Sequence, residues 1–299
     1  MQNNIRTDLA LEAKELWETS QGAEEIPGVS VDERGDGSFR ITEVRIEDLN
    51  GEKALCKPVG KYITFELDGL IKREENAFEQ AASLLSSEIR RIMPLMPDAT
   101  VLVAGLGNDA ITPDAIGPEC LRSVLVTRHL KERMPGDFSF FRNVAAVEPG
   151  VLGTTGMESA DIVSALVGRI APDAVIAIDA LASREPDRLC RTVQLADTGI
   201  TPGSGVGNRR AELSRGTLGI PVLAIGVPTV VDSLTLTAVL AEKAGIDLPD
   251  DDTAKQKNMM VTPKDIDRSV RDISRLIGYA LDLALHDGLT IPDIDMFLG

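Results

Sequence analysis

The feature that most narrows the fold of this chain is a set of four short, predominantly apolar runs. They are TVLVAG (100–105), NVAAVEPG (143–150), DAVIAIDA (173–180) and PVLAIGVP (221–228), each closed by Gly, Pro or Asp. Runs of this length without polar alternation need cover on both sides, which is the condition of strands inside a parallel sheet. The stretches with helical periodicity between them, at about 116–134, 157–171 and 232–244, supply that cover. The pattern therefore predicts βαβ units and an α/β fold, a mostly parallel sheet with helices on both faces.

The preceding part reads differently. Leu9, Leu11, Leu16 and Trp17 are spaced for one side of a helix. The segments 28–46 and 49–67 alternate apolar and polar residues between Gly, Asp and Asn, which predicts a small β-rich portion of antiparallel strands. Apolar positions from Asn76 to Met93 predict a helix that Pro94 and Pro97 end. The expected organisation is a leader at 1–8, a helix with hairpins and a second helix at 9–97 packed on the core, and an α/β catalytic core at 98–299. Within that core, the almost wholly polar 247–258 reads as a mobile loop, and a helix is expected from Pro263 to about His286.

Charge narrows the partners. With 31 Lys and Arg against 47 Asp and Glu, the net charge of −16 disfavours nucleic acid, whose backbone is gripped by clustered cations. Neither a signal peptide nor a membrane-spanning apolar stretch is legible, so the expected location is cytoplasmic, with no membrane partner. Cys56, Cys120 and Cys190 lack metal spacing and read as small core residues. No cofactor and no metal are expected, because HExxH is absent and His129 and His286 lie in charged helical stretches that read as surface.

Ligands and catalytic groups of open parallel sheets gather beyond the carboxyl ends of the strands. That rule nominates GLGNDAITPDAIGP (105–118), IDALASR (178–184) and IGVPTVVDS (225–233). Gly105 and Gly107 permit a tight turn, Pro113 suits a first helical turn, and Asp114 falls where a helix should start. Asp179 follows an apolar strand. Two carboxylates at neighbouring strand ends can share a proton and supply a general base and a general acid together, an arrangement suited to hydrolysis by activated water. Each also has a plainer reading: Asp114 as a helix N-terminal acid and Asp179 as a turn cap. Asp109 is a weaker candidate in the same loop, and Asp232 reads as a helix N-cap. GLGNDA meets a degenerate dinucleotide pattern, but Ile111, Thr112 and Pro113 intervene before Asp114, so nucleotide binding stays a minor alternative.

GLGNDAITPDAIGP, AVEPGVLGTTGMES, VIAIDALASR, TGITPGSGVGNRR and IGVPTVVDS, in this order, closely resemble the germination proteases of spore-forming bacteria, from RTDLALEA onward and over nearly the whole chain. The resemblance implies an endopeptidase of an unusual aspartic type that degrades small acid-soluble spore proteins during germination. It further implies an inactive zymogen, a homotetramer and a place in the spore core. By motif, the family's two essential acids fall on Asp114 and Asp179. A more distant likeness is to the hydrogenase maturation proteases, whose corresponding acids bind a metal together with a histidine. Neither histidine here lies near TPGSGVGNRR, so a metal-free pair of acids is the reading, with a metal-dependent peptidase or a non-catalytic small-ligand module as alternatives. Family substrates are cut within Thr-Glu-apolar-Ala-Ser-Glu. In Thr7-Asp8-Leu9-Ala10-Leu11-Glu12 an acid, an apolar residue and Ala fall in the same order, which suggests a propeptide cut between Asp8 and Leu9, while a helix N-cap with an acidic first turn fits the same residues. Backbone groups around Gly105 and Gly153 are candidates for oxyanion stabilisation, and Arg184, Arg209 and Arg210 for receiving substrate carboxylates.

Overall fold

The apolar runs form strands covered on both faces. A computed structural model describes residues 7–22, 25–35, 38–202, 211–246 and 259–298. Its strands are β1 (Val29–Gly35), β2 (Arg40–Ile46), β3 (Gly60–Glu66), β4 (Thr100–Gly105), β5 (Asn143–Val147), β6 (Ala174–Ala182), β7 (Thr192–Ala196), β8 (Val222–Asp232) and β9 (Met260–Val261). They make one sheet in the order β1-β2-β3-β7-β8-β6-β4-β5, with β9 paired to β8 off this path. Strands β8, β6, β4 and β5 are mutually parallel, and β1, β2, β3 and β7 join them through antiparallel pairs.

Alternation within β4 shows why its whole run is apolar. Val101 and Val103 pack with the helices Ala77–Ile92 and Ile266–Leu285, whereas Leu102 and Ala104 pack with the helix Ser159–Ile170 on the other face. All four side chains are fully buried. The connection from β4 leads to β5 on one side, while β6 lies on the other side of β4. The carboxyl ends of β4 and β6 are thus the topological switch point, where helical connections diverge and leave a crevice.

Several expectations are corrected. Residues 49–55 are a helix, not a strand, because the Asp48 carboxylate accepts from Asn50 N–H and Gly51 N–H and caps it. The helix expected at 116–134 is two short ones, Ile116–Leu121 and Arg128–Arg133. Asp282 holds Leu125 N–H at 2.8 Å, and Thr127 bonds to β5 and its approach, so tertiary contacts interrupt the run. The sheet is mixed, not mostly parallel, since the antiparallel β1, β2 and β3 continue into its parallel core through β7, a strand with no distinct sequence signal. Asp179 lies inside β6, which runs on to Ala182. Cys56 is exposed, while Cys120 and Cys190 are buried. The polar segment 247–258 and the arginines Arg209 and Arg210 lie outside the described residues. No helix among the described residues is long and apolar enough to cross a membrane.

His129 is exposed, but His286 is buried, contrary to the surface expectation, because it ends the docked face of the helix Ile266–Leu285. Arg142 N–H donates to its Nδ1 at 3.2 Å, and Phe141 packs edge-on against the ring. Burial depresses its pKa from 6.5 to about 4, so the ring is neutral in the native state. The unfolded chain binds a proton first. Stability from this group is therefore complete above pH 6.5 and is lost as pH falls toward 4. Buried Asp282 is shifted upward and acts with the opposite sign, so the histidine is isolated by a difference. The stability advantage of the native chain over His286→Gln is expected to shrink by roughly 3 kcal/mol between pH 7.5 and 4 in urea unfolding. An advantage that does not vary with pH would contradict this.

Candidate active site

Strand β4 stops at Gly105, opposite Ile178, whereas β6 continues for four residues beside β8. Asp179 is the first residue of β6 past that point. It is 5% exposed, and its Oδ1 accepts from Ala180 N–H at 2.9 Å. Its neighbour across the sheet is Gly226 of β8.

The loop leaving β4 folds into the space above it. Gly107 has φ +110°, and a Cβ there would meet the Asp114 carbonyl oxygen at 2.0 Å, so only glycine fits. The loop returns through Asn108 N–H donating to Asp114 O (3.0 Å) and Asp114 N–H to Ile111 O (2.7 Å). Thr229 of β8 ties it down by donating to Pro113 O at 2.6 Å. Asp114 closes a 3-10 turn, Thr112–Asp114, and the helix that follows has only six residues. Its position depends on this pinned loop more than on a long helix dipole.

Asp114 and Asp179 line the same cavity, of about 240 Å³, together with Thr229, Met260 and Asp8. Asp8 is held on β6: its N–H donates to Ala182 O at 2.9 Å, and its Oδ2 accepts from Ala182 N–H at 2.8 Å. Leu9 and Ala10 are fully buried, and the first helix begins at Ala10. Thr7 is not that helix's cap, but its Oγ1 accepts from Leu9 N–H at 3.0 Å and donates to the Glu12 carboxylate. Glu12 is 1% exposed. Its carboxylate accepts from Ser183 Oγ (2.7 Å), Arg184 N–H (2.7 Å) and Glu185 N–H (3.0 Å), with Arg188 Nη1 at 3.5 Å. Backbone donors and one guanidinium thus compensate a charge that burial alone would make unfavourable. A second cavity of about 320 Å³, also lined by Asp8, holds Lys57 and Gln194. Both side chains donate to the Asp8 carbonyl oxygen, at 2.9 and 3.2 Å.

The other nominated residues sit apart from this cavity. Gly105 lies under the next helix, where a Cβ would meet Gly117 O at 2.5 Å, so its role there is close packing. Gly153 is exposed in the helical turn Leu152–Thr155. Arg184 directs its guanidinium to Glu185 and Glu242 and contributes to Glu12 through its backbone. Asp109 is exposed, and Asp232 caps the helix Ser233–Ala244 by accepting from Leu234 N–H and Thr235 N–H. Among the described residues, no group of three or more His, Cys, Asp or Glu is arranged to hold a metal ion. Thr229, Lys57 and Gln194 were not legible as site residues. Gln194 alone had a signal, as the polar residue in the otherwise apolar centre of TVQLA.

A family model described as germination protease matches residues 8–242. The chain is 44% identical to the germination protease of Caldanaerobacter subterraneus subsp. tengcongensis, over 98% of each chain. It is 41% identical to that of Clostridium tetani, over 99% of this chain and 100% of the relative. Against a germination protease of Clostridium perfringens it is 38% identical, over 99% of both.

Proposed function

The chain belongs to the germination protease family, whose function is that of a peptidase in spore germination, and on that premise we propose an aspartic-type, sequence-specific endopeptidase made as a zymogen. Its leader is removed by its own cut between Asp8 and Leu9, after which it degrades small acid-soluble spore proteins in the cytoplasm of the spore core, as a homotetramer. The observation that carries this reading is that Asp8, Asp114 and Asp179 line one cavity at the switch point of the sheet.

In the mechanism, Asp114 and Asp179 share one proton. The ionised member draws a proton from water as the water oxygen attacks the peptide carbonyl carbon, and the protonated member delivers its proton to the leaving amide nitrogen. Bonds to Ala182 of β6 present the acid that precedes the cut, in the manner of a strand added at a sheet edge. The buried pocket around Glu12 supports a second requirement, for a carboxylate four residues downstream of the bond cleaved.

The test is mass spectrometry of a Thr-Glu-Ile-Ala-Ser-Glu peptide incubated with the chain after its own processing. One cut, at the Glu-Ile bond, is expected. A peptide left intact by processed chain would overturn the proposed specificity and leave family membership standing.

A further inference from the structure

We propose that Lys57 and Gln194 are catalytic residues that clamp the carbonyl oxygen of the bond being cut, first that of Asp8 in the chain's own leader and then that of a substrate peptide in its place. This rests on the reading of Asp8–Leu9 as a cleaved bond and of Asp114 and Asp179 as the acids that activate water.

Three observations lead to it. The Asp8 carbonyl oxygen takes two side-chain donors at once, Lys57 Nζ at 2.9 Å and Gln194 Nε2 at 3.2 Å. Those donors come from distant parts of the chain, the loop before β3 and the middle of β7. Second, among the described residues the ammonium of Lys57 hydrogen-bonds this neutral carbonyl and forms no ion pair. A half-buried cation ordinarily takes an anion as partner. The atom it faces here is the one that becomes anionic when water adds to a peptide. Third, Asp8, Leu181 and Thr201 line both cavities, so Asp8 is shared by the cavity that holds the acids and the one that holds the two donors. Gln194 is itself oriented, because its Oε1 accepts from Ala10 N–H at 2.8 Å, which turns Nε2 toward Asp8.

The step balances. Water oxygen bonds to the Asp8 carbonyl carbon and gives one proton to the ionised aspartate, while the carbonyl electron pair moves onto oxygen, where Lys57 and Gln194 stabilise it. That pair then returns, the carbon–nitrogen bond breaks, and the protonated aspartate supplies its proton to the nitrogen of Leu9. Preorganised donors of this kind act on the transition state because the charge they meet is absent from the ground state.

The test uses the full chain, following the Asp8–Leu9 cut by mass spectrometry as a first-order process across pH. Lys57→Met is expected to slow it roughly 100- to 1,000-fold without shifting thermal unfolding, and Gln194→Met to slow it by a smaller factor. Lys57→Arg is expected to keep part of the rate. Burial lowers the Lys57 pKa below its ordinary 10.5 against the opposing carboxylates of Asp8 and Glu12 and the thiol of Cys56, with Tyr62 and Glu212 on the same cavity wall. A guanidinium stays protonated, so the ratio of native to Lys57→Arg rate should fall as pH rises, a change that a holding role would not produce. If the native chain cuts itself and Lys57→Met cuts as fast, the clamp is wrong while the proposed function stands. Should Lys57→Met fail to fold, a pH-independent ratio overturns the clamp. A native chain that never cuts at Asp8–Leu9 overturns both.

Discussion

Asp114→Asn and Asp179→Asn are each expected to leave the Asp8–Leu9 bond intact and to lower cleavage of a trans peptide by roughly 10²- to 10⁴-fold, the range for removing a positioned acid or base. Neither change should unfold the protein. Asn keeps the shape of Asp, and in the strand it can still accept from Ala180 N–H as Asp179 Oδ1 does. Asp114 is only partly buried, and its backbone, not its carboxylate, makes the bonds to Asn108 and Ile111 that shape the loop. Asp109→Asn is the matched control: it is exposed in the same loop, outside the cavity, and should be silent. Thermal unfolding must accompany the rates, since a lost rate in a folded variant is what assigns the acids to chemistry. A fully active Asp179→Asn would remove the dyad from consideration.

The second large effect is structural. Glu12→Ala is expected to release the first helix from the core, lowering the docking free energy of residues 10–21 by about 3–5 kcal/mol, as for truncation of one member of a buried charge cluster. The size follows from what is left behind. The N–H groups of Arg184 and Glu185 lose their acceptor in a place that water reaches poorly, whereas Ser183 Oγ keeps the Glu185 carbonyl oxygen at 2.9 Å. Arg188 is less affected, because it keeps its two-pronged contact with Glu15, at 2.7 and 2.6 Å. Glu12→Gln should fall between, keeping an acceptor and losing the charge. Amide hydrogen exchange of the helix reads the effect directly. Protection of residues 10–21 that is unchanged in Glu12→Ala would show that apolar burial of Leu9, Ala10 and Leu11 holds the segment unaided.

Much of the site was legible because its parts are local. Gly107 reports a tight turn wherever the chain goes next, and an aspartate behind an apolar run reports a sheet position without knowledge of its neighbours. The two acids, the α/β layers and the cap at Asp232 follow from such signals. Lys57, Thr229 and the donors around Glu12 do not. A lysine after a short helix, a threonine in a strand and a serine hydroxyl followed by two backbone N–H groups look alike in any surface loop, and they acquire a role only through a residue far away in sequence. The misreadings have the same origin. Leu49–Leu55 was decided by a local cap that alternation concealed, whereas the break after Leu121 was decided by Asp282, a residue distant in the chain.

The sequence by itself determined which segments are buried on both faces, and hence the parallel core of the mixed sheet with its helices, because hydrophobic periodicity is set residue by residue. It also determined the family, through long motifs kept in order. Only the tertiary structure decided that β7 joins the N-terminal hairpins to that sheet, that β4 stops short of β6, and that Asp8 lines one cavity with Asp114 and Asp179. Strand order, relative strand length and the docking of a terminus are set by pairings between residues remote in the chain, which no local pattern encodes.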